Sequence, residues 1–177
     1  MTVSFVMDAS EFSFAQYWRI VQMLELYFNT RKDESQSPIT KAEAKWVKEN
    51  IPKCVCVLCD GKKVIGLTFF LPTTKKLMKR FIEKKVSEKK LWSETKQLFN
   101  QKNSNEKIDC LYLSSAFILP KYRRKSLAKK AFIQSIKKFT QTHTIKPILF
   151  FWGFSIHGKK LAKSISRSLK LKLLERK

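Results

Sequence analysis

Acidic side chains are scarce in this chain. Fourteen Asp and Glu stand against 37 Lys and Arg, which leaves a formal net charge of +23 over 177 residues. Such a balance attracts nucleic acid, an anionic membrane surface or an anionic small ligand. Long apolar runs are missing too. No stretch of about eighteen apolar residues occurs, so no membrane-spanning helix is expected. The opening residues, MTVSFVMDASEF, lack a charged segment followed by an apolar one, so no secretory signal is expected and the cytoplasm is the default location. There are no internal repeats and no low-complexity tract. Metal-ligand spacing is thin. Cys56 and Cys59 form one CxxC, but a structural zinc site usually needs a second pair, and Cys110, His143 and His157 stand at no zinc-finger spacing. Cys54, Val55, Cys56, Val57 and Leu58 read better as a buried strand in which cysteine acts as a small hydrophobe. No metal is assigned, and a disulfide is not expected in a cytosolic chain.

What is present suits a folded protein. The chain is 44% hydrophobic and 12% aromatic, enough for a packed core rather than a disordered basic tail. Its length suits one compact domain over residues 1–177. Only seven of the 37 basic residues are arginines. Lysine spread over most helices fits a solvated surface. The adjacent Arg123 and Arg124 are different, because a guanidinium is the better fork for phosphate.

Periodicity and turn residues give the element order. Thr2 to Met7 reads as a short strand, with Asp8 or Ser10 able to cap the next helix. Phe14, Tyr17, Trp18, Val21, Leu24 and Phe28 recur at helical spacing. Asn29 to Gln36 is a polar loop. Pro38 to Glu49 reads as a second helix with Thr40 as a cap and Pro52 at its end. Cys54 to Cys59 and Val64 to Leu71 are strands joined by a hairpin turn at Asp60-Gly61, and Pro72 is expected to stop the second. A cationic segment, 73–107, fits one or two helices with a single apolar stripe, ending in the linker-like Asn100 to Lys107. Then follow a strand from Cys110 to Leu119, a helix from Ser126 to Thr140, a strand from Pro147 to Phe154, a helix from Gly158 to Ser168 and a strand from Lys170 to Leu174. The expected fold is α/β (α+β), a mixed central sheet with helices on both faces and a helical insertion between the third and fourth strands.

One stretch carries the functional signal: ILPKYRRKSLAKKAF, from Ile118 to Phe132. Pro120 stops a strand, and Lys121, Arg123, Arg124 and Lys125 crowd the start of a helix whose dipole is already positive there. Either these cations are left in solvent, or an anion occupies the site. The stretch resembles the central motif of the GCN5-related N-acetyltransferase (GNAT) family. In that motif a strand ends in Val-x-Pro-x-Tyr-Arg and leads into Arg/Gln-x-x-Gly-x-Gly/Ala. Ile118, Pro120, Tyr122 and Arg123 match the strand end. Arg123, Ser126 and Ala128 fill the loop pattern, with Ser126 where the first glycine is usual.

The resemblance implies an N-acyltransferase that uses acetyl-CoA as co-substrate. It implies that the backbone of Ala116, Phe117 and Ile118 bonds the pantetheine arm. The loop amides of Arg123, Arg124, Lys125, Ser126, Leu127 and Ala128 would then take the pyrophosphate. Relatives use a carboxylate or water near the motif strand as base and a tyrosine in the last long helix as acid. Here the motif strand carries Tyr112, Ser114 and Ser115, with Asp109 at its start. The last helix has no tyrosine, and Ser164 lies about where one would stand. His157, near that helix's start, is the side chain best able to orient the thioester or move a proton, since histidine titrates near neutrality. Tyr112, Ser115 and His157 are therefore the catalytic candidates. His143 is expected in a solvated loop, and Tyr122 as a packing residue. A backbone N–H near Ile118 can polarise the thioester carbonyl, and positioning supplies much of the rate.

Two functions compete. One is an acyl-CoA-dependent N-acetyltransferase acting on an amine, which an anionic partner could carry. The other is a GNAT-like module that binds CoA or nucleic acid through its basic surface without turnover. The enzyme is the reading the motif favours, with nucleic acid as the lesser candidate for a partner and a homodimer left open. The insertion at 73–107 could cover the acceptor groove, pair with a second subunit, rest on an anionic membrane, or dock on the sheet edge with its lysines in water.

Overall fold

A computed structural model describes residues 2–28, 39–100 and 106–177. The polar loop at 29–36, Pro38 and most of the linker at 100–107 lie outside the described residues. The chain divides into two compact units, Met1–Phe69 with Ser115–Phe139, and Phe70–Ser114 with Thr140–Lys177. Six strands form a mixed sheet in the spatial order in which they follow along the chain.

The first unit opens with β1 (Val3–Val6). Asp8 caps the single 3-10 turn Ala9–Glu11 rather than a long helix, accepting from the backbone N–H of Ser10 at 2.9 Å. The cap of α1 (Phe14–Phe28) is Ser13, reciprocally bonded with Gln16. Tyr17, Ile20, Val21 and Leu24 form the buried stripe of that helix. Thr40 caps α2 (Lys41–Asn50), as the sequence suggests, and forms a full capping box with Glu43. β2 (Val55–Asp60) pairs antiparallel with β1 and with β3 (Lys63–Thr74). The β2–β3 hairpin turns at Gly61-Lys62, where Gly61 takes φ 58°.

A bulge sits in that pair. Val64 faces Cys59 and Gly66 faces Leu58, so Ile65 is the extra residue. The unit's core gathers Cys56, Leu58 and Ile65 with Tyr122, Leu127 and Ala131. Leu127 and Ala131 belong to α5 (Leu127–His143), so the start of this helix is held down by apolar contacts. All four cysteines are buried and free, in keeping with the strand reading of β2.

In the second unit, β3 runs through Pro72 to Thr74 instead of stopping at Leu71. Pro72 lies beyond the part of β3 paired with β2, which ends at Phe69, so its missing N–H removes no bond to β2. Two helices of the expected insertion follow, α3 (Lys75–Ile82), capped by Thr74, and α4 (Glu88–Asn100). The apolar face of α3 is spent inside this unit. Leu77, Met78 and Phe81 are buried, and the Phe81 ring lies 5.2 Å from Tyr112 and 6.0 Å from Phe150. The insertion is therefore docked with its lysines outward, which leaves no apolar face of α3 to enter a membrane.

β4 (Ile108–Ile118), β5 (Ile148–Trp152) and β6 (Leu173–Arg176) run parallel. α6 (Ile156–Leu169) begins two residues before the expected Gly158. It is capped by Ser155, whose Oγ accepts from the Gly158 N–H at 3.0 Å. The last strand starts at Leu173, not at Lys170, because Lys170 ends α6 in the left-handed region at φ 53°. Arg176 on β6 ties the insertion down. Its guanidinium donates to the carbonyls of Phe81 (3.1 Å) and Val86 (2.8 Å), and it lies over the Phe81 and Trp152 rings.

Candidate functional site

The motif stretch lies in the first unit. β4 ends at Ile118, and Pro120–Tyr122 form a 3-10 turn. Tyr122 is buried and donates its phenol O–H to Asp60 at 3.0 Å, which raises its pKa. The turn is thereby pinned to the end of β2, and the packing role expected of Tyr122 is the one it has.

The loop between Tyr122 and Leu127 has an unusual backbone. Arg124 takes φ 61° and Ser126 φ 55°, both in the left-handed region that L side chains rarely enter. Arg123, just before them, is extended at φ −68°, ψ 169°. Alternation of this kind turns successive N–H groups toward one side and makes a concavity for an anion. The carbonyl of Ser126 accepts from Lys130 N–H at 3.0 Å, so α5 begins there. By helix geometry the amides of Leu127, Ala128 and Lys129 have no partner inside the helix. No acidic residue stands in its first turn. Arg124, Lys125 and Ser126 are exposed. The positive φ at Ser126 also gives the physical reason that glycine is usual at this place in the motif.

Two parts of the expected site are not available as expected. Arg123 is not part of the cradle. Its N–H donates to the Pro120 carbonyl at 3.2 Å, its Nε donates to the Ile118 carbonyl at 2.9 Å, and its guanidinium bonds the Tyr27 hydroxyl and lies over the Tyr27 ring. Phe117 is turned the wrong way to offer its backbone to a ligand. Leu119 N–H donates to the Ile65 carbonyl at 2.8 Å, and the Phe117 carbonyl comes so close to Gly66 that a Cβ there would lie 2.6 Å from it. Both therefore face β3. The alternation of a strand then turns the backbone groups of Ala116 and Ile118 to the opposite edge of β4. Since the Ile118 carbonyl is taken by Arg123, that edge offers the Ala116 N–H and C=O and the Ile118 N–H.

Tyr27 and Gly66 belong to this architecture, although sequence reasoning does not single them out. Tyr27 packs on Phe117 at 4.8 Å between ring centres and holds Arg123. It is an aromatic residue off the buried stripe of α1, and that misplacement is the signal in the sequence. For Gly66, a glycine inside a strand marks close approach of another backbone.

The catalytic candidates fall in both units. Ser115, in the first, is half-buried on β4. Tyr112, in the second, is 1% exposed, and its phenol donates to Glu88 Oε1 at 2.7 Å. Burial, and then Glu88, push its pKa well up, so it is a neutral, enclosed phenol. His157 is the second residue of α6 and is exposed; the cap of that helix is Ser155. His143, expected in a loop, is the last residue of α5 and is exposed. Among the described residues no group of three His, Cys, Asp or Glu is placed to hold a metal ion. No helix among them is long and apolar enough to cross a membrane.

No family model matches the sequence, and no curated protein sequence matches it. Solved structures do. A mosquito arylalkylamine N-acetyltransferase like 5b superposes at TM-score 0.58 and 15% identity, over 93% of this chain and 82% of that one. A Drosophila melanogaster polyamine N-acetyltransferase gives 0.57 and 10%, over 93% and 82%. A ribosomal-protein-alanine N-acetyltransferase from Brucella melitensis biovar Abortus 2308 gives 0.54 and 11%, over 93% and 91%. At these identities the likeness shows the fold: this chain has the GNAT fold.

Proposed function

We propose that this chain, built on the GNAT fold, is an acyl-CoA-dependent N-acetyltransferase that moves an acetyl group from acetyl-CoA to an amine. The carrying observation is the pair of left-handed residues, Arg124 and Ser126, at the start of a helix with no acid in its first turn. In this reading the amides from Arg124 to Ala128 hold the pyrophosphate, and the cations around them offset its charge. The Ala116 N–H and C=O bond the pantetheine amides. The Ile118 N–H donates to the thioester oxygen, which becomes more negative as the amine attacks. The C–N bond forms, the C–S bond breaks, and the amine's proton leaves for the thiolate through water. Tyr112 takes no part, because its proton is held by Glu88 away from solvent. The charge of +23 favours an acceptor carried on an anionic partner.

Thermal unfolding with acetyl-CoA tests the cradle. Ligand at about 100 times its Kd adds about 2.7 kcal/mol, or about 5–11 °C for a chain of this size. Ser126→Glu puts an anion in the cradle and should remove that shift while leaving the unliganded protein folded. An undiminished shift in the variant would overturn the proposal.

The second reading, a module that binds CoA without turnover, draws support from the enclosed Tyr112 and from an α6 that has no tyrosine. Free thiol release over a panel of amines separates the two. Binding without any amine-dependent thiol release would favour the module.

A further inference from the structure

We infer that the outer side of α6 is a binding surface for the phosphate backbone of nucleic acid. The helix reads IHGKKLAKSISRSL and contains no Asp or Glu. Its inward direction is set by the buried Ala162 and Ile165. Lys160, Lys163 and Arg167 follow at spacings of three and four, which places them on one side of the helix, and Lys170 closes its end. All four are exposed. The remaining exposed side carries His157 and Ser168 instead. Lysines scattered for solubility would occupy both sides, whereas here the cations keep to one.

Among the described residues the row also stands without acidic partners. Lys159 is paired with Glu175 at 2.7 Å and is left out of it. No ion pair joins Lys160, Lys163, Arg167 or Lys170 to a carboxylate among the described residues. From Lys160 to Lys170 the helix rises about 15 Å. That is the axial length of about four or five phosphates of one strand, at about 3.4 Å each. A line of fixed cations of this length matches a linear polyanion, whereas a small anion calls for convergent donors.

A membrane surface fits less well. An interfacial helix turns its apolar residues outward beside the cations. In α6 those residues, Ala162 and Ile165, face the protein, and Ile156 in the first position is the one large apolar side chain of the helix that stands exposed. The inference rests on residues of α6 and its cap alone, and its test needs no acetyl-CoA.

The test is fluorescence anisotropy with a labelled oligonucleotide, duplex and single-stranded, between about 50 and 200 mM salt. The row variant is Lys160→Gln, Lys163→Gln, Arg167→Gln and Lys170→Gln together. The control removes four charges from the first unit, as Lys41→Gln, Lys53→Gln, Lys62→Gln and Lys63→Gln. With four phosphate contacts the logarithmic salt slope on duplex should flatten by about 3.6 in the row variant, and that on single strand by about 2.8. The control should keep its slope, and Arg167→Gln alone should lose about one unit on duplex. The inference is overturned by equal losses in row variant and control, by absence of nucleic-acid binding in the wild type, or by binding confined to phosphatidylserine vesicles. Displacement of the oligonucleotide by acetyl-CoA would move binding to the cradle and overturn it as well.

Discussion

Replacing Gly66 with alanine should damage both stability and ligand binding, although Gly66 touches no ligand. A Cβ at Gly66 would lie 2.6 Å from the Phe117 carbonyl oxygen and 2.6 Å from Ile118 Cδ1. An isoleucine methyl can swing aside. A backbone carbonyl moves only with its strand, and reaching ordinary contact at 3.4 Å takes a shift of about 0.8 Å. Overpacking of this kind costs about 1–3 kcal/mol. For a chain of this length each kcal/mol is about 2–4 °C, so the unliganded protein should melt about 2–12 °C lower. Ala116 and Ile118 sit on either side of Phe117, so the backbone groups proposed to bond the ligand move with it. The acetyl-CoA-induced shift should therefore shrink. Gly61→Ala is the comparison. Gly61 has φ 58°, and a Cβ added there would meet nothing within 4 Å. That variant carries backbone strain of about 1–2 kcal/mol and keeps its full ligand shift. Differential scanning fluorimetry of both variants, with and without acetyl-CoA, gives the four numbers needed. A Gly66→Ala protein as stable as wild type would refute the steric argument, and an intact ligand shift would refute the link to β4.

Tyr112→Phe removes the hydrogen bond to a buried carboxylate and should cost about 2–3 kcal/mol in urea unfolding. Combined with Glu88→Leu the losses should be less than additive, and strict additivity would contradict the coupling. Arg176→Lys should lower stability by about 1–3 kcal/mol, because an ammonium cannot span the Phe81 and Val86 carbonyls while stacking on two rings; a lysine that serves as well would count against that clamp. Burial pushes the Cys56 and Cys110 thiols up to about 12. The folded state thus holds those protons more tightly than the unfolded chain. This contribution to stability is complete below about pH 9 and is lost as pH rises toward about 12, so Cys56→Ala should flatten the alkaline limb of a stability–pH curve. Iodoacetamide at about pH 8 should leave both thiols of the folded protein unlabelled, and rapid labelling of Cys56 would show the strand to be open.

The order of elements is legible because each has a local cause. The helix stripe of α1, the Thr40 cap and the glycine turn between β2 and β3 are all readable within a few residues. Boundaries slip where the deciding partner is remote. Pro72 does not end β3 because β2 has already stopped pairing there, which no local rule can know. Lys170 reads as a strand residue by its neighbours, yet it closes α6 in the left-handed region. At the site, the helix start and its crowded cations are visible in the sequence. The occupation of Arg123 by Tyr27 is not, since 96 residues separate them. Nor does the sequence disclose that Phe117 faces β3, which depends on the register at Ile65 and Gly66.

Arginine scarcity also means something other than it first suggests. A guanidinium next to a helix start reads as a phosphate ligand, because its fork suits phosphate oxygens. The same fork suits carbonyl oxygens, and Arg123 and Arg176 are used in that way. Arg123 bonds the Ile118 carbonyl, Arg176 bonds two carbonyls of the insertion, and Arg80 is held by Glu94 at 2.6 Å. Lysine, with a flexible stem and a strongly hydrated head, is left to face outward, as in α3 and α6. The division predicts where charge reversal hurts. Exchanging Arg176 for glutamate should unfold the second unit's clamp at any salt concentration, because it acts at short range inside the protein. Exchanging Lys163 for glutamate should leave the melting temperature within about 1–2 °C, with its effect confined to partner binding and suppressed by salt. Equal losses of stability from the two exchanges would show that the lysine row, too, is part of the protein's internal framework.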